Sequence, residues 1–246
     1  MVRPKRMLVM PKAISARLAN LDAEALAASL LRGVETATGA RWDAAVERAA
    51  ALPGDIRPEK IRALTRSFAR ELGMVGAAAG MTAATPLIGT GATLMAATAE
   101  LTWFTARAGD LVLTIAALHG RPTPTVDERR AWVLAVLVFG STARQGLTGI
   151  ANSMGAGLTE GSPSRMSLAT LRAANGAMSR LIVRGYGARR GAIALGTALP
   201  LGVGAVVGGS ANVVAIRRLA DQADAFFARL PYSSIDATST VVAGEP

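Results

Sequence analysis

The stretch AATPLIGTGATLMAATAE, residues 83–100, decides how this chain is read, because it carries no charge until Glu100 and yet holds Pro86, Gly89 and Gly91. It belongs to a longer uncharged run of 28 residues, Leu72 to Ala99. A membrane-spanning helix needs about 20 mostly apolar residues, so the length suffices. Pro86 cuts the run into halves of about thirteen residues, each reaching roughly 20 Å, short of a hydrocarbon core roughly 30 Å thick. A proline followed by two glycines reads instead as the tip between two helices. A second run of 26 uncharged residues, Gly191 to Ile216, repeats the device in TALPLGVGAVVGGSAN, residues 197–212, with Pro200, Gly202 and Gly204.

Composition points the same way. The chain is 51% hydrophobic but only 4% aromatic, and alanine and glycine dominate where strands would call for β-branched and aromatic residues. Small side chains also let helix backbones approach closely. The expectation is an all-α protein, a compact multi-helix bundle of about eight helices built around two Gly/Ala-rich, proline-tipped helical hairpins. The 246 residues allow one domain or at most two.

Outward from the apolar runs the chain reads as conventional helices. NLDAEALAASLLRGVETATG is expected to open at Asn20 or Asp22 and to place Leu26, Leu30 and Val34 on one face. RPEKIRALTRSFARELG has Pro58 in its first turn and a stripe of Ile61, Leu64, Phe68 and Leu72, with Arg57, Lys60, Arg66 and Arg70 off it. Thr125 is the expected N-cap of the helix that follows HGRPTP, with Asp127 and Glu128 in its first turn. AWVLAVLVFGSTA, residues 131–143, has the length of a buried core helix. The boundaries follow: a helical N-terminal extension over 1–57, a helical domain over 58–230 and a tail over 231–246 that is expected to be disordered. GAGLTEGSPS, residues 155–164, reads as a flexible loop and a candidate hinge between two halves.

Several function classes drop out. With no cysteine there is no disulfide, thiolate nucleophile or iron–sulfur ligand, and a single histidine, His119, rules out a multi-histidine metal site. No serine sits in a G-x-S-x-G frame. GTGATL and GVGAVVGG look like a dinucleotide fingerprint, but both lie inside helical patterns without the strand it needs. No cofactor is therefore expected. The apolar run Met7 to Met10 is too short for a secretory signal.

The charge is +10, and residues 129–218 hold eleven arginines against one acid, Glu160. Such a stretch can meet phosphate of lipid or nucleic acid. Aromatics do not interleave with the arginines and no nucleic-acid motif is present, so nucleic acid is not an expected partner.

The order of signals resembles the EcsC family of bacterial proteins. The residues that carry the resemblance are TPLIGTGATL, then LHGRPTPTVDERRAWVLAVLVFG, then ALPLGVGAVVGGSAN followed by RRLADQADAFFARL, together spanning roughly residues 60–230. His119 stands where the family commonly has tyrosine before the glycine. The resemblance implies a helical protein without an agreed biochemical activity, from a family named after a protein encoded beside an ABC transporter. It supplies no catalytic residues, and it makes a membrane transporter a conceivable partner.

Three sets of residues stand out. Glu100 and Asn212 hold matching places in the two apolar units and are read as a polar link between them, with Arg107 and Asp110 further along the same helix as Glu100. His119, before Gly120, is read as a group at a helix C-terminus that interacts with the last carbonyls. Arg189 and Arg190 flank the second apolar run on one side and Arg217 and Arg218 on the other, so only a hairpin returns both pairs to one membrane face. The reading is a non-enzymatic protein on the cytoplasmic face of the inner membrane, peripheral or partly inserted, touching anionic lipid. Two alternatives stay open: a soluble helical interaction protein with the hairpins as core, and an enzyme using Glu100, Asp110 and His119.

Overall fold

The computed structural model describes residues 12–39, 41–82, 90–156, 166–188 and 208–230, with side chains placed over 24–39, 41–74, 98–99, 101–156, 166–184 and 213–230. Eight α-helices are found among them: α1 Lys12–Thr38, α2 Trp42–Ala51, α3 Arg57–Thr82, α4 Thr90–Leu118, α5 Val126–Phe139, α6 Ala143–Ser153, α7 Leu168–Ala188 and α8 Gly208–Arg229. A 3₁₀ turn, Gly140–Thr142, joins α5 to α6. No β-strand occurs among the described residues. The protein is an all-α helical bundle, as composition and periodicity implied.

The expected apolar stripes form the core. Leu30, Val34, Ile61, Leu64, Phe68 and Leu72 are buried, while Arg57, Arg66 and Arg70 stay exposed. The α1 and α2 residues Ala27, Leu30, Val34, Trp42 and Ala45 belong to the same core as α3, α4, α5, α7 and α8. Two boundaries differ from expectation. Helix α1 runs through Asn20 and Asp22 rather than opening there, and the helix expected over 131–143 ends at Phe139, with the 3₁₀ turn between it and α6. An alanine-rich neighbourhood sustains α1 past residues that favour caps in isolation, and Gly140, at φ +56°, supplies the left-handed turn that ends α5.

The ends of the helices follow local chemistry. Thr125 caps α5 in a full capping box, its hydroxyl accepting from the Glu128 N–H while the Glu128 carboxylate accepts from the Thr125 N–H. At the end of α4, Gly120 donates to the Ala117 carbonyl and Arg121 to that of Ala116, with Gly120 at φ +67°. This is a Schellman motif, which needs a residue free to turn left-handed.

Two sets of contacts and one nearby charge fix the sense in which the central helices run. His119, just past α4, meets Asp224 near the end of α8. Arg121 donates to the carbonyls of Phe227 and Leu230 at the same helix end. The charge of Arg57, at the start of α3, is felt by His119. The start of α3 and the ends of α4 and α8 therefore share one pole, here called the base. Helices α3 and α4 run in opposite senses, and so do α3 and α8. Their other ends, Thr82, Thr90 and Gly208, lead away from the base. The hairpin tips Pro86, Gly89, Pro200, Gly202 and Gly204 lie outside the described residues, whereas Gly91 lies in the first turn of α4.

Helices α1 and α4 run parallel and very close. Ser29 accepts from Thr102, Gly33 faces Thr102 and Thr105, and Ala37 faces Gly109. A Cβ on Gly33 would stand 2.6 Å from the Thr102 carbonyl oxygen, and one on Gly109 would fall inside the Ala37 methyl. Gly149, on α6, faces open space. Gly109→Ala is thus expected to force the helices apart and destabilise the protein by about 1–2 kcal/mol despite alanine's better propensity. Gly149→Ala is expected to stabilise it by roughly 0.5–1 kcal/mol. Urea unfolding of the two variants checks the opposite signs.

Candidate functional site

The polar groups of the middle of the bundle gather where α2, α3 and α4 meet. Asp110 is buried on α4, and its Oδ2 accepts from Arg107 at 2.8 Å and lies 3.3 Å from Arg41. The i, i+3 spacing of Arg107 and Asp110 on one helix sets up the first of these contacts. Arg107 then forks onto α3, donating Nε–H to Glu71 Oε1 at 2.8 Å and a terminal N–H to Glu71 Oε2. Its guanidinium also lies 4.6 Å from the centre of the Phe68 ring, and Arg48 of α2 lies 5.7 Å from the same ring. Arg48 further donates to the Thr114 hydroxyl. Burial works against the Arg107 charge, but the Glu71 and Asp110 carboxylates together outweigh it and hold the pKa of Arg107 above its usual value.

This junction opens on one side into a cleft of about 550 Å³ between α1 and α4. Arg32, Arg41 and Arg107 line it together with Thr36, Thr102 and Trp103. Arg32 donates to the uncharged Ser29 hydroxyl.

At the base, His119 is the second polar focus. Its Nε2 lies 2.7 Å from Asp224 Oδ1, and its ring is 6.0 Å from that of Phe227. An aromatic chain continues from Phe227 to Trp132 at 5.3 Å and from Trp132 to Trp42 at 6.3 Å, tying α8, α5 and α2. Burial pushes the His119 pKa below its usual 6.5; bonding to Asp224 opposes this, and the charges of Arg57 and Arg121 assist it. The neutral ring donates Nε2–H to the carboxylate. The expected role of His119 at the α4 carbonyls is thus corrected: backbone N–H groups of the Schellman turn take the Ala116 and Ala117 carbonyls, and the imidazole bonds across to α8.

The arginine-rich stretch is put to several uses. Arg129 is buried and donates to the carbonyls of Thr38 and Pro124, so it closes the C-terminus of α1. Arg130 pairs with Glu35 and Arg172 with Asp127. Arg180, Arg184, Arg217 and Arg218 are exposed. Arg189 and Arg190 lie outside the described residues, as do the side chains of Glu100 and Asn212, so the polar link proposed between the last two has no described geometry. Asp110 on α4 and His119 just past its end, which an enzyme reading would join, are nine residues apart, roughly 13 Å at helical rise. Each is committed to other partners, Asp110 to the arginines and His119 to Asp224. No group of three or more metal-ligating side chains occurs among the described residues.

Sequence reasoning noticed Arg107 and Asp110 and placed them beyond Glu100 on one helix; among the described residues the carboxylate partners of Arg107 are Glu71 and Asp110, and the side chain of Glu100 lies outside them. It passed over Glu71, Arg32, Arg41 and Trp103, and did not pair Asp224 with His119. Only the short Arg107–Asp110 spacing was visible along the chain; the other pairings cross between helices. Comparisons with family models, curated proteins and solved structures found no match to this chain.

Two outcomes follow. Because folding lowers the His119 pKa, the unfolded chain takes up the proton first as pH falls from about 7, and stability drops through this window by at most about 1.4 kcal/mol per pH unit. His119→Gln keeps an N–H donor without titrating, so its stability should be flatter with pH than the wild type's over pH 7 to 5.5 in urea titrations. Arg107→Met leaves Asp110 to Arg41 alone and should cost about 2–3 kcal/mol, less than a fully buried pair because Glu71 is partly solvated. Adding Asp110→Leu should restore part of that loss in a double-mutant cycle.

Proposed function

We propose that this protein is a non-enzymatic helical protein that associates with the cytoplasmic face of a membrane through the pole opposite its base. The observation that carries the reading is the polarity of the bundle. Helices α3, α4 and α8 share a base held by His119, Asp224 and Arg121, and their far ends lead into the two uncharged segments. Toward those ends Met74 and Val214 are exposed, at 69% and 47%, so apolar surface continues onto the described helices. Arg217 and Arg218 are exposed on α8 within three turns of its start, where anionic lipid would attract each by about 1 kcal/mol. Two stretches, Leu101–Leu118 and Val126–Ser153, are long and apolar enough to cross a membrane by length and composition. The resemblance to the EcsC family belongs to the same proposal, and a membrane transporter is one partner it would allow.

A second reading, a soluble helical interaction protein, is favoured by one specific observation. Of the Leu101–Leu118 window, 72% is already buried inside the bundle, as in the core helix of a soluble domain. The two readings separate on fractionation of the expressed protein. Membrane association predicts sedimentation with membranes, release by high salt if arginines hold it and resistance to carbonate if apolar segments insert. Recovery wholly in the soluble fraction at low salt, with no binding to anionic vesicles, leaves the soluble reading.

A further inference from the structure

We infer that the cleft between α1 and α4 is a binding site for a phosphate ester, held by Arg32, Arg41 and Arg107 with Trp103 against the organic part of the ligand. This goes beyond membrane association and does not depend on it, since the cleft lies on the side of the bundle and its chemistry is set by its own walls.

Three guanidinium groups face one cavity, and among the described residues no carboxylate lines it. Two of them are fixed: Arg41 and Arg107 reach the same oxygen of buried Asp110, which holds their planar forks side by side before any ligand arrives. Such pre-setting lowers the ordering cost that binding must overcome. Arg107 is further locked by Glu71 and by the Phe68 ring, so its direction does not depend on solvent. Arg32 has only the neutral Ser29 hydroxyl as its described bond, and three guanidinium charges against Asp110 and Glu71 leave the junction cationic. Planar guanidinium groups match the oxygens of phosphate in pairs, and Arg is the residue of choice for that geometry.

The size of the cleft says what kind of phosphate. About 550 Å³ exceeds what a bare phosphate fills and falls within the range of small-molecule sites. Trp103 is 36% exposed while Trp42 and Trp132 are buried, so the cleft keeps the one half-open indole among the described residues. An indole face beside three cations suits an ester whose phosphate meets the arginines and whose carbon skeleton covers the ring. A soluble organophosphate and the headgroup of a phospholipid both satisfy this chemistry.

The test uses the full chain, with glycerol 3-phosphate followed by titration calorimetry, and vesicles of phosphatidic acid in phosphatidylcholine followed by co-sedimentation. Vesicles of oleic acid in phosphatidylcholine, at a pH that ionises the carboxyl group, provide negative charge without adding a phosphate monoester to the phosphatidylcholine background that both vesicles share. Saturable binding of glycerol 3-phosphate, weakened at least tenfold by Arg32→Ala and by Arg41→Ala, supports the site with a soluble ligand. Binding of phosphatidic acid vesicles alone, weakened to the same degree, supports it with a lipid ligand. In either case quenching or a shift of tryptophan emission on binding should vanish in Trp103→Phe. Arg41→Lys should recover less than half of the lost affinity, because lysine lacks the fork. Thermal melts of each variant establish that it is folded, and Arg32→Gln replaces any variant that is not. No binding of either phosphate probe overturns the inference. So does binding unchanged in the arginine variants, and so does equal binding to the oleate vesicles.

Discussion

A carboxylate taken out of water must be met by charge and hydrogen bonds, and Asp110 imposes that requirement at the centre of this bundle. It sits at 2% exposure on the longest of the described helices. Meeting it draws Arg41 in from the start of α2 and Arg107 from the same helix. Arg107 in turn needs Glu71, which fixes α3, and its flat face needs the Phe68 ring, which Arg48 of α2 also covers. One buried charge therefore sets the mutual placement of three helices. The apolar stripes supply most of the driving force for association, but stripes of leucine and alanine tolerate sliding and rotation. A forked ion pair with a ring beneath it does not.

Much of the fold was legible along the chain because it rests on local signals. The Ile61–Leu64–Phe68–Leu72 stripe and the Thr125 cap with Glu128 each act within one helix and occur as read, while the apolar 131–143 stretch is a buried helix only as far as Phe139. The start of α1 was misplaced because cap propensity at Asn20 and Asp22 is worth about 1 kcal/mol, less than the helix gains by continuing. The polar junction was half legible. Arg107 and Asp110 declare themselves by spacing, whereas Glu71, 36 residues away from Arg107, has nothing around it to name its partner.

The arginines show why net charge is a poor guide to surface. A count over residues 129–218 suggests a continuous basic face. Arg129 instead lies inside the fold, and just outside that stretch Arg121 does too; each lends its N–H groups to the carbonyls that end a helix. A buried guanidinium at a helix C-terminus is stabilised by the dipole and by the acceptors it satisfies. Its neighbours Arg130 and Arg172 are offset by acids from other helices. Among the described residues, what is left on the outside is a smaller set, Arg144 in part on α6 and Arg180, Arg184, Arg217 and Arg218 on α7 and α8.

The parallel contact of α1 with α4 has a consequence for how the chain reaches its fold. The Thr102–Ser29 bond joins residues 73 apart, and α2 and α3 must traverse the molecule between them. The antiparallel α3–α4 pair closes over a far shorter stretch, so chain entropy favours its forming first. During synthesis from the N-terminus, α1 emerges with its face of Ala27, Leu30, Val34 and Ala37 complete but with no surface to receive it until α4 has left the ribosome. The closely fitted glycines then act as a late check on assembly: the helix can dock only after its partner is fully wound, and only in one alignment.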